Sequence, residues 1–305
     1  MAEDSKLVVY AALGGNVLVA ASKFTAAALS GSSAMLTEAV HSSADCANQL
    51  LLLFGTYRSR KRSDKSHPFG YDGEVYFWAF VVAVMVLLAG GATSIYQGIR
   101  QIRDPHAIES LSLSLIVLSL SAVFEAVSLI FGYRASRRMV ERHPGDGKPV
   151  SLWRFIKLSK DPNMYESLLE DSAALIGIAL ATIGVLGSVF LNLLWMDGAA
   201  SIAIGVLLIA NSYVIAYATR SLIAGESVAP AVRMEIDESL NEAGYAGQCS
   251  HVKSLHLGPK TILITLSVDQ ARRPVGSTLV AHLDDITRCI KRVDERIRHV
   301  FFTIH

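Results

Sequence analysis

Six long apolar segments dominate the first two thirds of the chain. They cover roughly residues 7–29, 34–56, 75–98, 111–133, 165–189 and 195–217. Each runs for about 20–25 residues, the length that an α-helix needs to cross the hydrocarbon core of a bilayer. The pattern therefore predicts six transmembrane helices, which together form a membrane domain over residues 1–219.

From about residue 220 the pattern changes, because charged positions recur every three or four residues and the apolar runs shorten. Amphipathic periodicity predicts helices over 230–243 and 279–297, and alternation predicts strands over 252–257, 261–268 and 300–304. Gly258-Pro259 predicts the turn between the first two strands. We expect residues 220–305 to form a small cytoplasmic α/β domain of order αββαβ, metallochaperone-like, with a three-stranded sheet.

Lys and Arg residues alternate between the predicted loops. The loops after the second and fourth windows hold five and eight of them, whereas the loops after the first and fifth hold none. The loop after the third window holds only Arg100 and Arg103. Because basic loops stay on the cytoplasmic side, both termini and the α/β tail are predicted to be cytoplasmic.

Composition supports a membrane protein and excludes several other classes. Hydrophobic residues make up 51% of the 305 positions and charged residues only 18%, where a soluble domain has about 25% charged residues. A net charge of +1 argues against nucleic acid as a partner. No two of the three cysteines have CxxC spacing. The chain also lacks the HExxH and phosphate-loop motifs, so we do not expect an enzyme.

Ionisable side chains within the apolar windows are the candidate chemistry, since a charge at bilayer depth costs several kcal/mol. His41 and Asp45 are four residues apart and share one helix face, and Ser167 and Asp171 have the same spacing. Two such faces predict a site of nitrogen and oxygen ligands that suits Zn²⁺, with Mn²⁺, Fe²⁺ and Co²⁺ as alternatives. The residues singled out are Glu38, His41, Asp45, Glu125, Glu166, Glu170 and Asp171.

Several of these residues also have a simpler, structural interpretation. His41 and Asp45 alternatively bond only to each other and stabilise a pair of helices. Glu125 either makes a polar bond to a neighbouring helix or carries protons, and Glu38 is a second candidate for a proton-carrying or supporting role. Glu166 is expected to be a solvated helix start.

Two adjacent carboxylates compete for the position in the fifth window. Glu170 and Asp171 differ by about 100° around a helix, so both cannot point at one ion in the same way. Asp171 is the first choice, because it shares its face with Ser167.

Three segments resemble a known family of membrane proteins. Residues 30–49, which contain the His41 and Asp45 pair, are close to the second-helix signature of the cation diffusion facilitators. Residues 66–71 resemble the loop motif that follows this helix. Residues 160–163 and 168–174 are similar to the branch that includes the mitochondrial zinc transporter of animals. The resemblance covers nearly the whole chain, although for the tail it is architectural only.

This resemblance implies a homodimeric secondary antiporter that exports a divalent metal from the cytoplasm in exchange for protons. His41, Asp45 and Asp171 match the transport-site positions. Many members have a histidine where this chain has Ser167. Ser167, Glu170 or water therefore completes the site, or the ion is harder than zinc, as Mn²⁺ is.

Other metal sites are less well defined. In the loop after the second window, Asp64 and His67 match two ligands of a second site in some members, but the third position is Tyr71. The alternative is a loop that packs against the helix ends. The tail histidines are expected to lie mostly at the surface, with a metal site at the dimer interface as a hypothesis; they are His251, His256, His282, His299 and His305.

Metal ligation requires a neutral imidazole and ionised carboxylates, so protons are expected to compete with the metal at the same side chains. The rival hypothesis is a membrane-anchored metal sensor or scaffold without transport, which the missing histidine favours. The polar, acidic start of the chain has no basic region like that of a cleaved signal peptide, so we expect the first helix to be retained. A bacterial inner membrane is the expected location, and the expected partners are metal, protons, membrane lipid and a second copy of the chain.

Overall fold

Long helices cover all six apolar windows. The structure is a computed structural model that describes residues 2–108, 110–141, 155, 160–245, 247–269 and 278–304. The helices are α1 (Ala2–Ser30), α2 (Ser33–Ser59), α3 (Glu74–Met85), α4 (Thr93–Arg103), α5 (Leu111–Glu141), α6 (Pro162–Phe190) and α7 (Trp195–Ile223). A π-helical segment, Val86–Ala92, joins α3 to α4, so these two form one continuous stretch.

Among the residues that the structure describes, four stretches are long and apolar enough to cross a membrane: Glu74–Arg103, Leu111–Arg134, Pro162–Phe190 and Trp195–Ile223. They establish a helical membrane domain. α1 and α2 have 29 and 27 residues, which is sufficient length for a span. Six spans therefore stay a prediction.

The chain divides into two compact units. The first contains Met1–Phe54, Trp78–Ser136 and Asn163–Tyr217. The second contains Gly55–Phe77, Arg137–Pro162 and Ala218–His305. The second unit thus includes the loop after α2 as well as the tail.

The tail has the predicted αββαβ order. Its elements are α8 (Pro230–Glu242), β1 (Cys249–Gly258), β2 (Thr261–Val268), α9 (Leu279–Val293) and β3 (Ile297–Ile304). β2 is the central strand; it pairs antiparallel with β1 and parallel with β3. Apolar residues recur at helical spacing on α8 and α9 and at alternate positions on β2, and they meet in one core that includes Ile236, Ile264 and Ile286.

Glycines let two membrane helices touch through their backbones. A Cβ atom placed on Gly98 of α4 would lie 2.5 Å from the carbonyl oxygen of Gly198 in α7. One placed on Gly205 of α7 would lie 2.9 Å from the carbonyl oxygen of Gly91. Only glycine permits so close an approach of the two backbones. Small residues are common where membrane helices pack closely.

Candidate functional site

A carboxylate from another helix fixes the start of α2. Asp197, in the first turn of α7, is fully buried. It accepts hydrogen bonds from Ser32 Oγ at 2.5 Å and from the backbone N–H and the hydroxyl of Ser33 at 2.6 and 2.9 Å. An anion at this point satisfies the free N–H groups of the helix and complements its dipole. The cap therefore positions the helix that carries His41, about two turns further on.

His41 and Asp45 lie together as their spacing predicts. His41 is buried, and its Nδ1 atom lies 3.4 Å from Oδ1 of Asp45. The two atoms do not have the alignment of a hydrogen bond. Neither ring nitrogen of His41 nor Oδ1 of Asp45 has a hydrogen-bond partner among the described residues. Buried polar atoms without partners are costly, so this pair is a suitable place for a cation.

Asp171 approaches this pair from α6. The hydroxyl of Ser128 on α5 donates a hydrogen bond to Asp171 Oδ2 at 2.7 Å. Asp171 is also close enough to Asp45 for the two carboxylates to repel each other. Ser167 was predicted to lie on the same helix face. Its side chain is exposed, whereas Asp171 is half-buried.

Glu166 and Glu170 meet α2 at Asn48. The amide of Asn48 donates a hydrogen bond to Glu170 and lies near Glu166, whose two carboxylate oxygens have no hydrogen-bond partner among the described residues. Glu166 is fully buried, so the expectation of a solvated helix start is wrong; α6 begins one turn earlier, and Glu166 already lies within the helix bundle. Asn48 was not predicted as a site residue, although it follows His41 by seven residues and Asp45 by three, on the same helix face.

Glu38 is paired with a buried cation. The ammonium of Lys23, on α1, donates hydrogen bonds to Glu38 Oε2 at 2.9 Å and to Ser42 Oγ at 2.8 Å. The side chains of Lys23 and Glu38 are both fully enclosed. Lys23 was not predicted as a site residue; the signal for it is an ammonium group within an apolar window. Glu125 of α5 is also buried and lies within electrostatic range of Asp45.

The ligand set is only partly assembled. In the part of the chain that the structure describes, no group of three or more His, Cys, Asp or Glu side chains is arranged to hold a metal ion. His41 and Asp45 are together, while hydroxyl and amide groups of neighbouring helices engage Asp171 and Glu170. The arrangement is thus one imidazole and one carboxylate with further carboxylates nearby.

The loop after α2 contains an ion pair at the candidate second site. Asp64 Oδ2 accepts hydrogen bonds from the Tyr71 hydroxyl at 2.7 Å and from the Lys61 ammonium at 3.0 Å. These two donors hold the pKa of Asp64 well below its usual range. His67 Nδ1 lies 3.9 Å from Asp64 Oδ1. Because an ammonium already occupies the place of a cation, the geometry favours the packed loop over a metal site.

Two tail histidines are buried, so the expectation that these residues lie mostly at the surface is wrong. The described ones are His256 and His282, which are buried, His299, which is half-buried, and His251, which is exposed; His305 lies outside the described residues. His256 lies on β1 and His282 on α9, and both rings are enclosed within the tail domain. Burial first, and then the nearby Arg296 and Lys160, lower the pKa of His256 to about 4.

The chain thus combines a helical membrane domain, which carries the buried His41–Asp45 pair, with a small αββαβ tail. The family model of the cation efflux transmembrane domain matches residues 9–224. The chain therefore belongs to the cation efflux family, whose members are transporters and not enzymes. This confirms the resemblance drawn from the sequence.

Several relatives show which branch the chain is similar to. The proton-coupled zinc antiporter SLC30A9, mitochondrial, of Homo sapiens is 31% identical over 263 residues, which are 86% of this chain and 45% of the relative. Metal tolerance protein C4 of Arabidopsis thaliana is 30% identical over 181 residues, 59% of this chain and 38% of the relative. Magnetosome protein MamM of Paramagnetospirillum magneticum is 26% identical over 203 residues, 65% of this chain and 56% of the relative. The chain spans about half the length of the curated relatives it matches.

Proposed function

We propose that this chain is a secondary active transporter that exports a divalent transition metal, Zn²⁺ first, from the cytoplasm in exchange for protons. It works as a homodimer with six spans per subunit and both termini in the cytoplasm, in a bacterial inner membrane. The observation that carries the proposal is the His41–Asp45 pair, which is buried and lacks hydrogen-bond partners among the described residues.

Metal binding completes the ligand set from α6. Asp171 leaves the Ser128 hydroxyl and turns to the ion held by His41 and Asp45. Glu170, Ser167 or water supplies a fourth ligand, with Glu170 favoured because it is half-buried beside α2, whereas Ser167 is exposed. A set that must be assembled at each cycle also releases its ion readily.

Proton coupling follows from the ligands themselves. An imidazole binds metal only when it is neutral, and carboxylates bind only when they are ionised. An ordinary histidine titrates near pH 6.5, close to working pH. Protons that reach His41, Asp45 and Asp171 from the far side therefore displace the metal, and metal from the cytoplasm displaces the protons. Glu38 and Glu125 support this exchange.

The identity of the metal rests on the donor set and on the relatives. One imidazole with carboxylates suits Zn²⁺, and a site richer in carboxylates shifts preference toward Mn²⁺ or Fe²⁺. The human relative is named as a proton-coupled zinc antiporter, which supports Zn²⁺ as the first ion to test.

A second candidate function is a membrane-anchored metal sensor or scaffold. Two observations favour it: Ser167 stands where many members have a histidine, and the described residues hold no preassembled group of three ligands. Flux across a membrane separates this candidate from a transporter.

The test is metal uptake by proteoliposomes of the purified chain, with Zn²⁺, Mn²⁺, Fe²⁺ and Co²⁺ compared with and without a pH gradient. We expect uptake to rise with the gradient and to fall to background in Asp45→Asn and Asp171→Asn. Asp104→Asn is the matched control, because its side chain is 79% exposed and lies outside the cluster. Full transport by Asp45→Asn would refute the site. Folded wild-type protein without flux for any metal would support the sensor or scaffold.

A further inference from the structure

The buried ammonium of Lys23 is paired with Glu38, which lies about one helix turn from His41 on α2. Lys23 projects from α1 and is fully enclosed, with its Nζ atom 2.9 Å from Glu38 Oε2 and 2.8 Å from Ser42 Oγ. Ser42 directly follows His41 on α2. Lys23 is also within electrostatic range of Asp45 and of Glu125. The cation thus acts on the same charges that would hold a metal.

A purely structural ion pair is an expensive way to join α1 to α2. Removing two charges from water costs several kcal/mol for each ion, and their attraction often does no more than offset this cost. Apolar or small side chains join membrane helices without that penalty. An ionisable pair at this depth is therefore evidence of function.

Glu38 has the position of a further ligand. It precedes His41 by three residues and Asp45 by seven, so the three side chains occupy one face of α2 in successive turns. Its second oxygen, Oε1, has no hydrogen-bond partner in the described part of the chain. This oxygen lies against Gly177 of α6, where an added Cβ would come within 2.5 Å of it. Glu38 is thus held by Lys23 on one side while its other oxygen is free on the side of α6.

We propose that Lys23 is a tethered resident cation that keeps Glu38 from coordinating the transported metal and so weakens the site enough for release. This inference rests on the proposed function, and it makes a residue of α1 responsible for setting the affinity of the site. With Lys23 present, the Lys23–Glu38 pair adds no net charge to the site. Without it, the carboxylate of Glu38 adds one negative charge and one further oxygen ligand.

The sign of the effect follows from Coulomb's law. A divalent ion and one added negative charge separated by several ångströms attract each other strongly enough, even at an effective dielectric constant of about 20, to change affinity by about tenfold or more. Removing the carboxylate instead leaves the ammonium unneutralised, and it repels the ion by a similar amount. A pair that only pins helices together would give the same sign, a loss, for both changes.

The experiment measures the Zn²⁺ dissociation constant of the purified full chain in detergent, together with KM and maximal rate in proteoliposomes. We expect Lys23→Met to bind Zn²⁺ about tenfold more tightly and to transport it at a lower maximal rate, because release slows. Glu38→Gln should bind about tenfold more weakly. The double variant should return to within about threefold of wild type, because it removes both charges.

Thermal unfolding of each variant controls for folding. If Lys23→Met does not fold, the double variant still decides the matter, since it leaves neither charge of the pair buried alone: recovery of Zn²⁺ binding relative to Glu38→Gln supports the proposal, and no recovery overturns it. Weaker or unchanged Zn²⁺ binding in folded Lys23→Met overturns the proposal, as does unchanged binding in Glu38→Gln. If the wild-type protein neither binds nor transports a divalent ion, the proposed function is overturned together with this inference. If the wild type transports metal but the variants do not behave as expected, only the inference about Lys23 fails.

Discussion

The close approach of α4 and α7 makes Gly98→Ala a sharp test of the membrane fold. A Cβ at Gly98 would meet the carbonyl oxygen of Gly198 at 2.5 Å and the backbone nitrogen of Ile202 at 2.9 Å. Both are backbone atoms, so no side-chain rotation relieves the clash, and the helices must separate. Overpacking of this kind typically costs about 1–3 kcal/mol. An Ala in a helix otherwise stabilises it by about 1 kcal/mol relative to Gly.

Gly14 provides the matched control, because a Cβ placed there has no atom within 4 Å among the described residues. We therefore expect Gly14→Ala to be neutral or slightly stabilising and Gly98→Ala to lose about 2 kcal/mol. The assay is thermal unfolding of the purified protein in detergent, where this difference corresponds to an apparent Tm lower by about 5 °C. Equal melting of the two variants would refute the backbone contact between α4 and α7.

Three further predictions concern other parts of the chain. Asp197→Asn removes the charge that caps α2, and we expect it to lower the free energy of unfolding by about 2–4 kcal/mol, measured by denaturant unfolding; the exposed Asp104→Asn should change it little. The stability that the neutral, buried His256 contributes is fully present above its ordinary pKa and is lost as pH falls from about 6.5 to about 4. In this range the histidine of the unfolded chain binds a proton, whereas the buried ring of the folded protein stays neutral, so protonation favours unfolding. This window corresponds to about 3 kcal/mol, and a pH series of wild type against His256→Gln should show the wild type losing its advantage there; parallel curves would contradict the assignment. Asp64→Asn should leave Zn²⁺ transport unchanged, since Lys61 and Tyr71 already engage that carboxylate, and a marked loss of transport would instead support a second metal site in the loop.

The part of the candidate site that lies on a single helix was predictable from the sequence. His41 and Asp45 are together because residues four apart on any helix are neighbours, and no other part of the chain is needed to know it. The relation of Ser167 to Asp171 follows from the same rule, yet it did not show that Ser167 is exposed. A helical period gives relative direction on one helix and does not say which neighbour each face meets.

The tail illustrates the same division. Alternation and amphipathic period predicted all five elements of the αββαβ domain, and the structure confirms their order. The burial of His256 and His282 was not predicted, because a histidine is compatible with either side of a strand or helix. Packing of α8, α9 and the sheet around one core decides that question.

The sequence by itself determined the apolar windows, the αββαβ order and the pair on α2, because length, period and local spacing are properties of consecutive residues. Only the tertiary structure decided the partners that lie far apart in the chain: Lys23 with Glu38, Asn48 with Glu170, Ser128 with Asp171, and Asp197 with the start of α2. These contacts depend on the rotation of each helix about its axis and on its depth beside its neighbours. Both are set by close packing of the whole bundle, including the glycine contacts between α4 and α7, and no window of the sequence contains that information.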